Sequence, residues 1–132
     1  MKEDLQKKII QFQVLEANLK ALQEREEIIS DRIAEIENTK AAIEELKKAK
    51  PSKALIPIGS GNFISGKIED TEEIIVGIGS GVAIKKKRED AIAILDSNFK
   101  EFEKNLNELR NQSTAIALQL AKIQEEVEKS QE

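Results

Sequence analysis

From Leu5 to about Lys48 the chain runs without glycine or proline, and its apolar residues recur in alternating steps of three and four. One set reads Leu5, Phe12, Leu19, Glu26, Ile33, Lys40, Lys47, and the other Lys8, Leu15, Leu22, Ile29, Ile36, Ile43. Only Lys8, Glu26, Lys40 and Lys47 break the apolar rule. A 3.5-residue repeat sustained over so many turns predicts a coiled-coil helix, stopped by Pro51 and Ser52. From about Glu89 to Lys129 the pattern returns. Ile92, Phe99, Leu106, Ser113, Leu120 and Val127 form one set; Leu95, Phe102, Leu109, Ile116, Ile123 and Ser130 form the other. Glu89 and Asp90 suit a first helical turn, where the helix dipole favours negative charge. Each helix would be about 65 Å long at 1.5 Å per residue. The economical arrangement folds one back on the other as an antiparallel pair.

Between them the period changes. All six glycines of the chain lie in this middle stretch, among short β-branched runs. Such runs, punctuated by Gly, Asn, Asp and Ser, predict strands and tight turns. The stretch also repeats itself: Ile58-Gly-Ser-Gly61 recurs as Ile78-Gly-Ser-Gly81. Leu55-Ile56 and Ile75-Val76 precede the two copies, and Ile64 and Ile84 follow them. The prediction is two tandem β-hairpins, with turns at Gly59–Asn62 and Gly79–Gly81 and Glu69–Glu72 as the link. The chain therefore divides into an N-terminal helix (1–50), a hairpin segment (51–87) and a C-terminal helix (88–132). Its fold class is α+β, mainly α.

Composition sharpens this picture. Charged residues make up 35% of the 132 residues and aromatics only 3%, so aliphatic side chains must do the burying, as in long helices. The chain has no Cys and no His, which removes disulfides, thiolate ligands, and the commonest general base and metal ligand. No enzyme active site and no cofactor is expected. A net charge of −4 argues against general binding to nucleic acid. No leader-like segment opens the chain and no apolar run is long enough to span a membrane, so a soluble, cytoplasmic protein is expected.

Two local signals point elsewhere at first sight. Gly61-Asn-Phe-Ile-Ser-Gly-Lys67 starts like a phosphate-binding loop, but Ile68 stands where a Mg²⁺-ligating Ser or Thr is needed, and no helix follows. Lys85-Lys-Lys-Arg88, with Lys47, Lys48, Lys50 and Lys53, offers a basic patch; it reads best as a solvated collar between strand and helix. Glu26, Lys40 and Ser113 interrupt the seams and read as register or flexibility devices.

Two hairpins alone bury too little apolar surface and leave their edges unpaired. Leu55, Ile56, Ile58, Phe63, Ile64, Ile75, Val76, Ile78, Val82 and Ile84 are too many for one face of so small a sheet. The segment is therefore expected to oligomerise by strand pairing into a β-barrel hub. At the far ends of the helices, Leu5, Ile9, Ile10 and Phe12, with Leu120, Ile123 and Val127, are candidates for binding an apolar partner. Ile9 and Ile10 stand out because they lie off the seam; for the seam positions the alternative is that they only complete the coiled coil.

The stretches Leu55-Ile-Pro-Ile-Gly-Ser-Gly-Asn-Phe-Ile, Lys67-Ile-Glu-Asp-Thr and Val76-Gly-Ile-Gly-Ser-Gly-Val-Ala-Ile-Lys-Lys, closed by Asp90-Ala-Ile-Ala-Ile-Leu, resemble the α class of the prefoldin family. The resemblance implies a chaperone: coiled-coil arms on a double β-barrel, assembled from two α and four β subunits. It implies ATP-independent capture of unfolded polypeptide at the arm tips and hand-over to a group II chaperonin, without nucleic acid or membrane. Related α-like chains form filaments, so a structural spacer or scaffold is the alternative.

Overall fold

The computed structural model describes residues 2–48 and 53–130, in the order α1 (Lys2–Lys48), β1 (Lys53–Gly59), β2 (Asn62–Lys67), β3 (Glu73–Gly79), β4 (Val82–Lys87) and α2 (Arg88–Ser130). The expected helix stop at Pro51 and Ser52 lies outside the described residues, as does Lys50 of the basic collar. The described residues fall into two compact units, one of 2–34 with 100–130 and one of Glu35–Phe99.

In the first unit α1 and α2 pair antiparallel, residues 9–16 facing 124–128 and residues 25–29 facing 105–112. The predicted seam is what the pairing covers. Leu5, Lys8, Phe12, Leu15, Leu19, Leu22, Glu26, Ile29 and Ile33 are half-buried, and every other described α1 residue of the unit is exposed. On α2, Leu106 and Ile123 are buried, while Phe102, Leu109, Ser113, Ile116, Leu120 and Val127 are half-buried. Ser130, the last predicted seam position, is exposed, its hydroxyl donating to the Glu126 carbonyl at 2.9 Å. Lys8 reaches across to Glu126 at 3.5 Å.

In the second unit the seam continues through Ile36 and Ile43, both buried. The last seam position differs from expectation: Lys47 is exposed and Leu46 takes the covered place. At its end α1 no longer faces α2 alone, and the heptad stops governing which residue is covered. Lys40, a polar seam residue, is bridged to Asp96.

β1–β2 and β3–β4 are separate two-stranded antiparallel sheets of matching design. Ile56 pairs Ile64 in the first and Val76 pairs Ile84 in the second. Each ladder shifts register just before its turn, between Pro57 and Gly59 and between Gly77 and Gly79, leaving Ile58 and Ile78 as the extra residues of a bulge. The turns are Ser60-Gly61 and Ser80-Gly81, with φ of 52° and 78° in one and 54° and 74° in the other. Positive φ at both central residues is the type I′ geometry, whose twist matches paired strands. At Gly66, which has ordinary φ, a Cβ would stand 2.5 Å from the Ile56 Cδ1 atom, so that exposed side chain would have to swing aside.

Candidate functional site

The first unit offers an apolar surface at the end of the helix pair that holds residues 2–16 and 120–130. Ile9 and Ile10, which the heptad leaves off the seam, are exposed, Ile10 at 60%. Ile9 and Phe12 line an open groove of about 450 Å³ with Gln13, Glu16, Gln124, Val127 and Glu128. Leu5, Phe12, Leu120 and Val127 are half-buried on the seam, and Ile123 is buried in it. The candidates thus separate into two kinds. Ile9 and Ile10 are available to a partner as they stand, whereas Ile123 reaches one only when the helices part. Val14, 54% exposed and one turn from Ile10, belongs with the available residues, as does Leu118 on α2. The signal for both was the one that singled out Ile10, an apolar residue off the heptad seam. The pair Lys129–Glu125 keeps charge beside this surface.

The second unit carries the hairpin surface. Leu55, Ile56, Ile58, Phe63, Ile64, Ile75, Ile78 and Val82 are all exposed. In β1–β2 only Ala54 and Gly66 are even partly covered. Large apolar side chains therefore stand on both faces of that hairpin, with two unpaired strand edges, an arrangement that water opposes. In β3–β4, by contrast, Ile74, Val76, Ile84 and Lys86 are half-buried on one face. Val76 and Ile74 line a cavity of about 250 Å³ with Ile43, Ala91, Ile94 and Leu95. Val76 and Ile84, expected at a subunit interface, thus turn toward the chain's own helices.

Arg88 also departs from the expected solvated collar. Its Nη1 donates to the Thr71 carbonyl at 2.8 Å and reaches the Leu46 carbonyl at 3.5 Å, while its backbone N–H donates to the Glu72 carbonyl at 2.9 Å. The guanidinium thereby supplies a donor to the carbonyl end of α1, where a cation is favoured. The same contacts hold the link between the hairpins, whose own turn is closed by the Glu72 N–H donating to Asp70 Oδ1 at 2.8 Å. Lys85 and Lys87 remain exposed.

Among the described residues no group of three or more acidic side chains is arranged to hold a metal ion, and no helix is long and apolar enough to cross a membrane. What the two units present is exposed apolar surface. Fold and surfaces together define a coiled-coil assembly subunit with tandem hairpins.

The comparisons agree with that class. The prefoldin family model, described as prefoldin subunit, matches residues 2–132. The prefoldin subunit alpha of Pyrococcus horikoshii is 32% identical over 132 residues, covering 98% of this chain and 87% of that protein. The prefoldin subunit alpha of Thermococcus onnurineus is 37% identical over 102 residues, covering 76% and 69%. A filamentous PFD from Methanocaldococcus jannaschii, solved by cryo-EM, shares the fold with a TM-score of 0.75 at 17% identity, covering 85% of this chain and 93% of that one. The chain belongs to the prefoldin family, and the curated relatives it resembles are alpha subunits. It is accordingly a chaperone-type subunit of a multi-subunit complex, in a family that is generally non-enzymatic.

Proposed function

We propose that this subunit is a holdase: without ATP, it captures unfolded polypeptides on the apolar surface at the free end of its helix pair and passes them to a group II chaperonin. The observation that carries this reading is the exposure of Ile9, Ile10 and Val14 beside the groove that Phe12 and Val127 line. An unfolded chain offers apolar side chains with no fixed geometry. A shallow apolar groove among flexible charged residues meets that need better than a shaped pocket. Each contact is weak, and several arms on one hub gain by acting together. The hub would be residues 51–87. The bare faces of β1–β2 and the exposed side of β3–β4 support strand pairing with other subunits, β-class partners in a hexamer of two α and four β chains. The cytoplasm, where nascent chains emerge, is the fitting location.

The test is light scattering from a chemically denatured client, with and without the protein and a β-class partner. Replacing both Ile9 and Ile10 by Ser should remove about half or more of the suppression while the far-UV spectrum is unchanged, since both side chains lie on the exposed surface and neither is part of the buried seam. Undiminished suppression by that variant would move client binding elsewhere. Failure of the unaltered assembly to suppress would favour the alternative, a filament or scaffold whose helices are spacers. The exposed hairpin surface is compatible with that alternative, and the structure from Methanocaldococcus jannaschii, described as filamentous, gives it a precedent in fold.

A further inference from the structure

The polar residues within the seam are not alike. Lys8 is answered across the helices by Glu126 and Lys40 by Asp96. Glu26 and Ser113 are not answered: Glu26 Oε1 and Ser113 Oγ are shielded from solvent and have no hydrogen-bond partner. Both line one groove of about 370 Å³ in the first unit, with Leu19, Gln23, Arg110 and Ala117. A carboxylate oxygen deprived of water without a partner opposes the closed state, and regains hydration as soon as the helices separate. Between this layer and the free end lie the apolar positions Leu5, Phe12, Leu15, Leu19 and Leu22 of α1 and their α2 counterparts, with one polar crossing, the Lys8–Glu126 pair, which is well exposed to water and adds little to closure. So short a helix pair is marginal by itself, and local opening takes the cheapest boundary available.

We infer that the Glu26–Ser113 layer is an opening point built into the coiled coil, beyond which residues 5–22 and 116–127 part as one unit and present Leu15, Leu19, Leu22, Ile116 and Leu120 to unfolded polypeptide. The second half of that statement rests on the holdase reading; the first half does not. The client surface is then larger than the groove around Ile9 and Phe12, and its extent is set by where the seam is weakest. The layer also limits the opening, because the next seam positions of the first unit, Ile29, Ile33, Phe102, Leu106 and Leu109, are all apolar.

The test is amide hydrogen exchange on the full chain, comparing it with the variant carrying Glu26→Leu and Ser113→Leu. Leucine is what the heptad calls for at both positions, so the variant keeps the fold. Amides of residues 9–22 and 114–123 should exchange about tenfold more slowly in the variant, while those of 36–46 and 92–99 stay unchanged. Glu26→Gln, which removes charge but leaves a polar group to bury, should give an intermediate slowing. Unchanged exchange at the free end, or an equal slowing everywhere, would overturn the opening point. Client suppression by the same proteins separates the two halves of the inference. Slowed exchange with suppression reduced by about half or more supports the parted seam as a client surface. Slowed exchange with full suppression overturns that role and leaves capture to Ile9 and Ile10. If the unaltered protein suppresses nothing, the holdase reading falls, and the exchange data still decide whether the layer opens.

Discussion

The two hairpins are near twins in sequence and differ in what covers them. Both carry Ile-Gly-Ser-Gly, the same bulge and the same type I′ turn. Yet β1–β2 leaves both faces to solvent, while β3–β4 lays Ile74, Val76, Ile84 and Lys86 toward the helices. The strand ends differ as well. Glu73 stands opposite Lys87 at the base of the second hairpin, a favourable pair, whereas Lys53 stands opposite Lys67 in the first, an unfavourable one. Arg88 then fastens the second hairpin's end to the link and to α1. Local sequence makes both hairpins; only the second is also held by its own chain. Among the described residues the first has no such cover.

The largest effect that could break this comparison comes from the core under the second hairpin. Ile43 is 5% exposed and lines the cavity that Val76 and Ile74 share. Ile43→Ala should cost about 2–4 kcal/mol in chemical denaturation, through lost burial and the space left behind. Leu55→Ala in the first hairpin removes a side chain that is 68% exposed and should change the stability of the isolated chain by less than about 0.5 kcal/mol. Its effect belongs to assembly, seen as smaller species in sedimentation. If Leu55→Ala destabilises the chain as much as Ile43→Ala at every protein concentration, the first hairpin has an intramolecular cover and the contrast is wrong.

Arg88→Ala is the next step down. It removes a charge-assisted hydrogen bond to the Thr71 carbonyl and the longer contact to Leu46, both partly open to water. The expected loss is about 1–2 kcal/mol. The discriminating readout is hydrogen exchange: the Arg88 amide, bonded to the Glu72 carbonyl, should lose protection, while amides of β1–β2 keep theirs. Lysine at this position keeps the charge but is shorter and carries a more strongly hydrated ammonium in place of Nη1, so Arg88→Lys should recover only part of the loss. Equal loss of protection in both hairpins would show that Arg88 holds the hairpin segment as a whole.

These contrasts also show where the sequence was readable. The seam was legible because burial in a two-helix pair follows spacing alone, and spacing survives every neighbour until Leu46 displaces Lys47 at the end of α1. The hairpins and turns were legible because positive φ demands a small residue, and Gly61 and Gly81 supply it. Which face of β3–β4 would be covered was not legible. Ile74, Ile75 and Val76 read apolar on both faces, so alternation carried no sign. Arg88 was hidden behind three lysines, of which Lys85 and Lys87 are exposed, since a run of cations does not announce which one meets a carbonyl. Glu26 and Ser113 could be seen as interruptions, but whether each would find a partner depended on the facing helix, as Lys40 with Asp96 shows. Of the apolar surface at the free end, the exposed part was legible from Ile9 and Ile10 being out of phase with the heptad.

The smallest effect sharpens the comparison from the other side, where the hairpins are alike. Ser60 and Ser80 sit at φ of 52° and 54°, in the left-handed region that costs a residue with a Cβ about 1 kcal/mol. Asparagine tolerates that region better and is the favoured partner of glycine in a type I′ turn. Ser60→Asn and Ser80→Asn should therefore each stabilise by a few tenths of a kcal/mol, about the same amount in each hairpin, read as a small rise in the denaturation midpoint with unchanged slope. Equality is the point of the pair. Each turn is exposed, and nothing lies within 4 Å of a Cβ built at Gly59, Gly61, Gly79 or Gly81, so no neighbour distinguishes one turn from the other. A gain at Ser80 alone would mean that the first turn is already constrained by a neighbouring subunit in the assembled protein. The same two variants measured below the assembly concentration would then become equal.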